Sequence, residues 1–375
     1  MPKAQVSRVL FLAKYLDSGG VTTHMMTLAR ELQARGIEVG LISAGAFGDH
    51  AMTPEWFEAS GVRHFTVNYA SRNPLELIQA ARATLRAVRE FKPDLLHVHW
   101  RVTSPYAQLV QMVLGIPFVT TLHLLGIGEG IFHRAISFWG RQTIAISSET
   151  RNYLRTEFRV PESQLHTIYN GADSSRFRLP SVVERADARA QFELTNECVA
   201  ISLIGRLEEV KGHALLIDAI APLVQSGVNI HLLFAGQGAL HDALVSRVAN
   251  LGLSDRVTFL GHTDTRAVLW ASDISVLPSY KEGFPLTTVE AMLCGVAHIR
   301  TATSGAHDVI TNGVDGFVIP VGDVEQLRKR IGELIDSAHM RADFVRIAHE
   351  RATQQLTATH MAEATLDVYR LALTN

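Results

Sequence analysis

Short apolar, β-branched runs alternate with segments of helical period along this chain, and that alternation constrains its fold more than any other feature. The first instance is complete. Val9–Leu12 is an apolar strand, Gly19 and Gly20 interrupt the pattern, and from Val21 the positions Met25, Leu28, Ala29 and Leu32 form one helical face, ended by Gly36 in a capping position. Ile37–Ser43 is the next strand. Strand, glycine turn, helix, strand is a βαβ unit, and such units build a parallel sheet. Further strands are expected at Asp94–His99, Pro117–Leu122, Thr143–Ser148, Cys198–Leu203, Ile230–Ala235, Val257–Leu260, Asp273–Leu277 and Ala297–Arg300. The fold class is therefore α/β. At 375 residues the chain is long for one domain and comfortable for two.

Composition narrows the class further. Its two cysteines, Cys198 and Cys294, sit in apolar runs and read as buried thiols in a reducing compartment, not as a disulfide framework. The N-terminal MPKAQVSRVLFLAKYL carries no secretory signal pattern, and no run reaches the ~18 apolar residues of a membrane span. Charge is uneven: residues 1–180 hold 19 Lys/Arg against 14 Asp/Glu, and residues 181–375 hold 16 against 23. In the basic part, Pro74–Lys92 reads as an amphipathic helix. Leu77, Ile78, Ala81, Leu85 and Val88 face one way, and Arg82, Arg86 and Arg89 line another side. Such a helix can lie on an anionic membrane, but a sheet-packing role with a solvated basic face is the favoured reading. Nothing points to nucleic acid. There is no G-x-G-x-x-G, which counts against a dinucleotide-dependent dehydrogenase, and neither zinc-type Cys/His spacing nor an Asp-x-Asp pair, so no metal or cofactor is expected.

The chemistry concentrates in Pro278–Val296, PSYKEGFPLTTVEAMLCGV. A turn follows the strand Asp273–Leu277, Pro285 stands where a helix begins, and Leu286, Val289, Met292 and Leu293 repeat at helical spacing. Glu282 thus lies just before a helix N-terminus, which suits a phosphate, and Glu290 lies inside the helix. Glu282 as a helix cap and Glu290 as a solvated residue are open alternatives. Upstream, Gly205 ends a strand, and Arg206 and Lys211 flank a short loop before a helix. Two cations there form a credible diphosphate clamp, or a pair of surface charges. His99 and His123 end their strands on the side where open α/β sheets bind ligands. A structural role is open for each.

These strings, in this order, resemble retaining glycosyltransferase family 4 of the GT-B fold class: Gly19–Gly20, Thr121–His123, Asn170–Asp173 (NGAD), Gly205–Gly212 and Glu282–Gly295. The resemblance implies two Rossmann-like domains facing an interdomain cleft. Residues 1–180 would bind the acceptor, with a C-terminal helix at 360–375 packing back on them. Residues 181–359 would bind a nucleotide-sugar, with Ser174–Thr195 as the passage between. From Val324 the chain reads as helical to its end.

By the same resemblance, Gly19, Gly20, Gly205, Arg206, Lys211, Glu282, Gly283, Phe284, Pro285, Leu286 and Glu290 bind the donor. His123, Arg206, Lys211 and Glu282 carry catalysis, and no metal takes part. Gly305 and Ala306 offer backbone N–H groups to the sugar. The sequence departs from the family pattern at His24, near an acidic position, and at Asp308, where glutamate is common. His24 and His99 are the acceptor-side candidates. The implied enzyme is a metal-independent retaining hexosyltransferase with a UDP-linked glucose or N-acetylglucosamine donor. Its hydroxyl acceptor would be a cell-surface polysaccharide or glycolipid intermediate, and its location cytoplasmic or peripheral at the inner membrane face. A natural-product glycosyltransferase, a GT-B-like phosphorylase or epimerase, and a non-catalytic nucleotide-sugar-binding protein are the alternatives.

Overall fold

The computed structural model describes residues 6–17, 19–47, 59–71, 73–126 and 130–374. Residues 1–5, part of the stretch read for a signal, lie outside them. The chain divides into two compact units, Met1–Gly171 with Ala358–Asn375, and Ala172–Thr357.

In the first unit seven strands are described: β1 Arg8–Leu12, β2 Glu38–Ser43, β3 Arg63–Thr66, β4 Leu95–Val98, β5 Phe118–Leu122, β6 Gln142–Ala145 and β7 Leu165–Thr167. They pair in parallel in the order β3-β2-β1-β4-β5-β6-β7. The second unit repeats the plan with β8 Val199–Ile204, β9 Ile230–Ala235, β10 Val257–Gly261, β11 Ile274–Leu277, β12 Ala297–Thr301 and β13 Phe317–Ile319, in the order β10-β9-β8-β11-β12-β13. Both are doubly wound Rossmann-like sheets. The strand order reverses between β1 and β4 and between β8 and β11, and ligands bind beyond the carboxyl ends of strands at such points. β1, β2, β4 and β5 are almost wholly buried and apolar, as central parallel strands covered on both faces must be.

Two expectations change. The helix Pro74–Phe91 buries Ala80, Thr84, Ala87, Val88 and Phe91, whereas Leu75, Leu77 and Ile78 are exposed. Small residues let the helix approach the sheet, and the Thr84 hydroxyl is satisfied by Tyr69 (2.8 Å) and the Ala80 carbonyl. Of the apolar stripe read from the sequence, Leu85 and Val88 pack on the core and Leu77 and Ile78 do not, so the packed face is rotated from that stripe.

Ser174–Thr195 is not a bare passage. Ser181 and Glu184 form a capping box that starts the helix Val182–Gln191, a device worth about 1 kcal/mol. Arg185 and Arg189 of that helix grip Asp273 at 2.7 and 3.2 Å. Asp273 also accepts from the Ala200 N–H. Trp270 Nε1 donates to the Arg178 carbonyl, so residues 172–180 also belong to the second unit.

The C-terminal region is three helices, Val324–Asp336, Ala338–Gln355 and Ala358–Thr374. The last belongs to the first unit, where Met361, Leu366 and Tyr369 join the core over β1 and Arg141 donates to the Ala372 carbonyl. Both cysteines are free and buried. Among the described residues no helix is long and apolar enough to cross a membrane.

Candidate active site

In the second unit the loops after β8 and β11 meet. Gly212 makes this possible: its φ is +74°, and a Cβ there would lie 2.2 Å from the Pro278 carbonyl oxygen, so only glycine lets the two loops touch. The Tyr280 N–H then donates to the Val210 carbonyl at 2.8 Å, and the Thr301 hydroxyl holds the Ser279 carbonyl. The stem of Lys211 lies over Gly205, with its methylenes 3.5 Å from where a Cβ would stand. Its ammonium reaches Glu282 Oε1 at 2.7 Å, the side chains being 20% and 9% exposed. Arg206, by contrast, is half exposed and pairs with Glu208 at 2.7 Å. The sequence-predicted Gly205, Lys211 and Glu282 are thus brought together, and Arg206 stands beside them on a different partner.

Glu282 is engaged by Lys211 and does not cap the helix. That helix, Leu286–Leu293, begins after Pro285 as its N-cap, with no side-chain cap, leaving its first N–H groups for a ligand. Phe284 is buried, and Gly305, at φ +72°, lets its own backbone approach the ring: a Cβ would sit 2.8 Å from the Phe284 Cδ2. Gly283, Phe284 and Leu286 therefore form a fixed turn. The Ala306 N–H already donates to the Thr303 carbonyl at 3.0 Å, so it does not point at a ligand in this state. The Asp308 carbonyl accepts from Arg351. Glu290 is buried, not solvated. Burial pushes its carboxyl up to about 7, with the charge of Arg176 pulling the other way. Arg176, held by Asp264 at 3.0 Å, is a residue the sequence reading missed.

In the first unit Gly20 opens the helix Gly20–Ala34, and the preceding Gly19 donates its N–H to Asp17, whose carboxylate also holds the Thr22 hydroxyl. One turn into that helix, His24 is buried, as are His97 on β4, His99 just after it and His123 just after β5. His24 Nδ1 bonds Asn170 Oδ1 at 2.9 Å, and His99 Nδ1 meets His123 Nε2 at 3.2 Å. His97 is fixed by the Tyr369 hydroxyl (2.6 Å) and the Thr121 hydroxyl (2.7 Å).

Burial lowers His24 to about 4, the Asn170 bond opposing. Burial first, and the neighbouring rings second, hold His97, His99 and His123 well below the ordinary histidine value. These four rings are neutral near pH 7. His24 and His99 are 4% and 3% exposed, which leaves little surface for an acceptor in this state. His97 and Asn170 complete a cluster whose members are scattered over the sequence, and no spacing rule could have assembled it.

Residues 184–351 match the family model for Glycosyl transferases group 1, and residues 18–176 match Glycosyltransferase Family 4. The chain is a family 4-type glycosyltransferase with the GT-B fold. It is 27% identical to N-acetyl-alpha-D-glucosaminyl L-malate synthase of Bacillus anthracis over 95% of this chain and 94% of that protein. Among solved structures, a glycosyltransferase from Rickettsia africae superposes with a TM-score of 0.86 at 21% identity, covering 99% of this chain and 100% of that one. HepE from Anabaena, solved with UDP-glucose, gives 0.82 at 21% identity over 96% and 99%. This glycosyltransferase thus keeps the family's two Rossmann-like units along nearly its whole length.

Proposed function

We propose that this glycosyltransferase moves a sugar from a UDP-linked donor, glucose or N-acetylglucosamine, to a hydroxyl group of an acceptor, with retention of anomeric configuration. The observation that carries the reading is the pairing of Lys211 with Glu282 beside an uncapped helix N-terminus. A diphosphate arriving there meets the Lys211 ammonium, the Arg206 guanidinium and free N–H groups. Its developing charge is stabilised by these fixed groups, with no metal needed at the diphosphate. Lys211 then turns from Glu282 to phosphate, freeing the carboxylate to accept hydrogen bonds from sugar hydroxyls. Glu290 takes the ribose hydroxyls. His123 supports the sugar and phosphate, and the glycines Gly19 and Gly20 approach the donor. The donor phosphate assists deprotonation of an acceptor attacking on the same face. Residues 172–357 carry the donor and the first unit shapes the acceptor.

The acceptor reading is a polysaccharide or lipid-linked intermediate at the cytoplasmic membrane face. Its support is the helix Pro74–Phe91, which exposes Leu75, Leu77 and Ile78 together with Arg82, Arg86 and Arg89. The relative named for L-malate favours a second reading, a small hydroxy acid.

Titration with UDP, GDP, ADP and their common sugars, followed by thermal shift and calorimetry, tests the donor. Binding of UDP and one UDP-sugar raises the melting temperature. A folded sample that binds none of them, even with acceptors present, overturns the reading. Turnover with that sugar on glycolipid, polysaccharide and L-malate then separates the acceptors.

A further inference from the structure

The first unit contains a constellation of which the proposed sugar transfer uses one member, His123. His24, His99 and His123, from three separate elements, each offer one ring nitrogen, and these atoms all lie within 4.8 Å of one another. Their ring centroids are 4.7 Å apart for His24–His123 and 5.5 Å for His24–His99 and His99–His123. All three are more than nine-tenths buried, and Nε2 of both His24 and His99 has no hydrogen-bond partner. A buried polar atom without a partner costs roughly 1–3 kcal/mol, and the orphaned Nε2 of His24, within ligand reach of two other imidazoles, calls for an explanation.

We propose that His24, His99 and His123 bind a divalent transition-metal ion of the zinc class. Nitrogens about 2.0–2.1 Å from a tetrahedral zinc ion lie about 3.3 Å from one another. The His99 Nδ1–His123 Nε2 separation of 3.2 Å already matches that edge. The two facing nitrogens both present lone pairs once the proton between them moves to the outer nitrogen of its own ring. That tautomer change leaves each imidazole neutral and releases no proton. On His24, Asn170 Oδ1 accepts the Nδ1–H, which directs the Nε2 lone pair into the cluster. A carbonyl oxygen holding the far side of a ligating histidine is the usual support for such a ligand.

His97 is not a fourth ligand, because both its nitrogens are engaged by Tyr369 and Thr121. Its ring packs 4.0 Å from that of His99, and Phe11 packs 4.8 Å from the same ring, fixing His99 from two sides. Three imidazoles suit zinc, cobalt, nickel or copper over magnesium or calcium, and leave one coordination position for water. Ligation through Nε2 keeps Nδ1–H on His123, so the ion and a contact from His123 to a sugar phosphate are compatible.

The test uses the full-length protein, stripped with a chelator and titrated with Zn²⁺ and with Co²⁺, without any nucleotide. Its outcome is therefore independent of the donor reading. The expected result is one tight equivalent, with the intense visible bands of four-coordinate cobalt. X-ray absorption of the zinc-loaded wild-type protein should count three imidazole ligands. Asn170→Ala should weaken binding 10–100-fold, His24→Ala should abolish the tight equivalent, and His241→Ala, at an exposed histidine outside the cluster, should change nothing. The proposal is overturned by absence of a tight equivalent, by a pale six-coordinate cobalt spectrum, or by equal affinity in folded His24→Ala. The X-ray count needs no variant, so it decides the matter even if that substitution prevents folding.

Discussion

The two units build their polar clusters from the same fold by opposite electrostatic means. In Ala172–Thr357 the cluster is ionic and partly solvated: Lys211 faces Glu282, and Arg206 faces Glu208 in the open. In the first unit it is a sealed set of imidazoles, with buried His97 satisfied by Tyr369 and Thr121 and all four rings held neutral by burial. A charged ligand such as a diphosphate is matched by the first kind of cluster, because its groups can exchange one ionic partner for another at little desolvation cost. The second kind has already been desolvated and offers lone pairs and fixed orientation. The difference teaches that equal topology does not imply equal chemistry; the loops after the strands decide it.

The largest expected effect breaks the ionic cluster. Lys211→Met should lower kcat by about 10²–10³-fold, the loss expected when one fixed charge-stabilising group is removed. It also strands the Glu282 carboxylate, which is only 9% exposed, and breaking such a pair costs about 3 kcal/mol of folding stability. Steady-state kinetics and urea unfolding read the two effects separately. Wild-type turnover in this variant would remove Lys211 from the site.

Glu290→Gln sharpens the contrast, because Glu290 is the one ionisable group of the second unit's site that is sealed like the histidines. Its pKa is raised from 4.5 to about 7. Below pH 4.5 the carboxyl is protonated in both folded and unfolded chains and costs nothing. Between about 4.5 and 7 only the unfolded chain releases the proton, so the wild-type protein loses stability as pH rises. Above 7 the penalty is full, about 3 kcal/mol. The Gln variant should therefore be more stable than wild type at pH 8 and equal to it at pH 4, while binding UDP more weakly. Parallel urea midpoints at the two pH values check the sign, and a pH-independent difference would show that Glu290 is not buried as an acid.

Much of the second unit's site was legible because its residues are neighbours in sequence. Gly205 through Gly212 and Glu282 through Leu286 are each a single loop, so type and spacing carry their geometry. What local strings could not show was that Gly212 packs on Pro278, or that Arg176, more than a hundred residues away, bears on Glu290. The capping box at Ser181–Glu184 was present in the sequence, and charge and Pro180 obscured it. In the first unit the strands were readable, but the cluster takes one residue each from positions 24, 97, 99, 123 and 170, joined only by sheet order. The face of Pro74–Phe91 misled for a different reason. Toward its N-terminal end it packs through Ala80 and Thr84, which carry little hydropathy, while Leu75, Leu77 and Ile78 are exposed; its large apolar core contacts, Val88 and Phe91, come only near its C-terminus.

Tyr369→Phe probes the sealed cluster at smaller cost. It removes the hydroxyl 2.6 Å from His97 Nδ1 and leaves that nitrogen buried without its partner. The expected loss is about 1–2 kcal/mol, with kcat unchanged, since His97 touches no ligand in the proposed mechanism. A loss of turnover without loss of stability would instead make His97 part of the reaction.

Arg206→Ala gives the smallest stability effect and the sharpest division of roles. The Arg206–Glu208 pair is short, but its members are 52% and 38% exposed, so water screens the attraction and holding two long side chains together offsets much of it. Its removal should change folding stability by less than about 0.5 kcal/mol. If the guanidinium receives the diphosphate, kcat should nevertheless fall at least ~10-fold, because the planar fork meets the phosphate only as charge develops on it. Arg206→Lys should recover part of that loss, since the charge returns without the bidentate geometry. Lys211 would then serve both fold and transfer, and Arg206 transfer alone. Equal kcat in Arg206→Ala and wild type would leave Arg206 a surface charge and place the whole burden of diphosphate neutralisation on Lys211 and the helix N-terminus after Pro285.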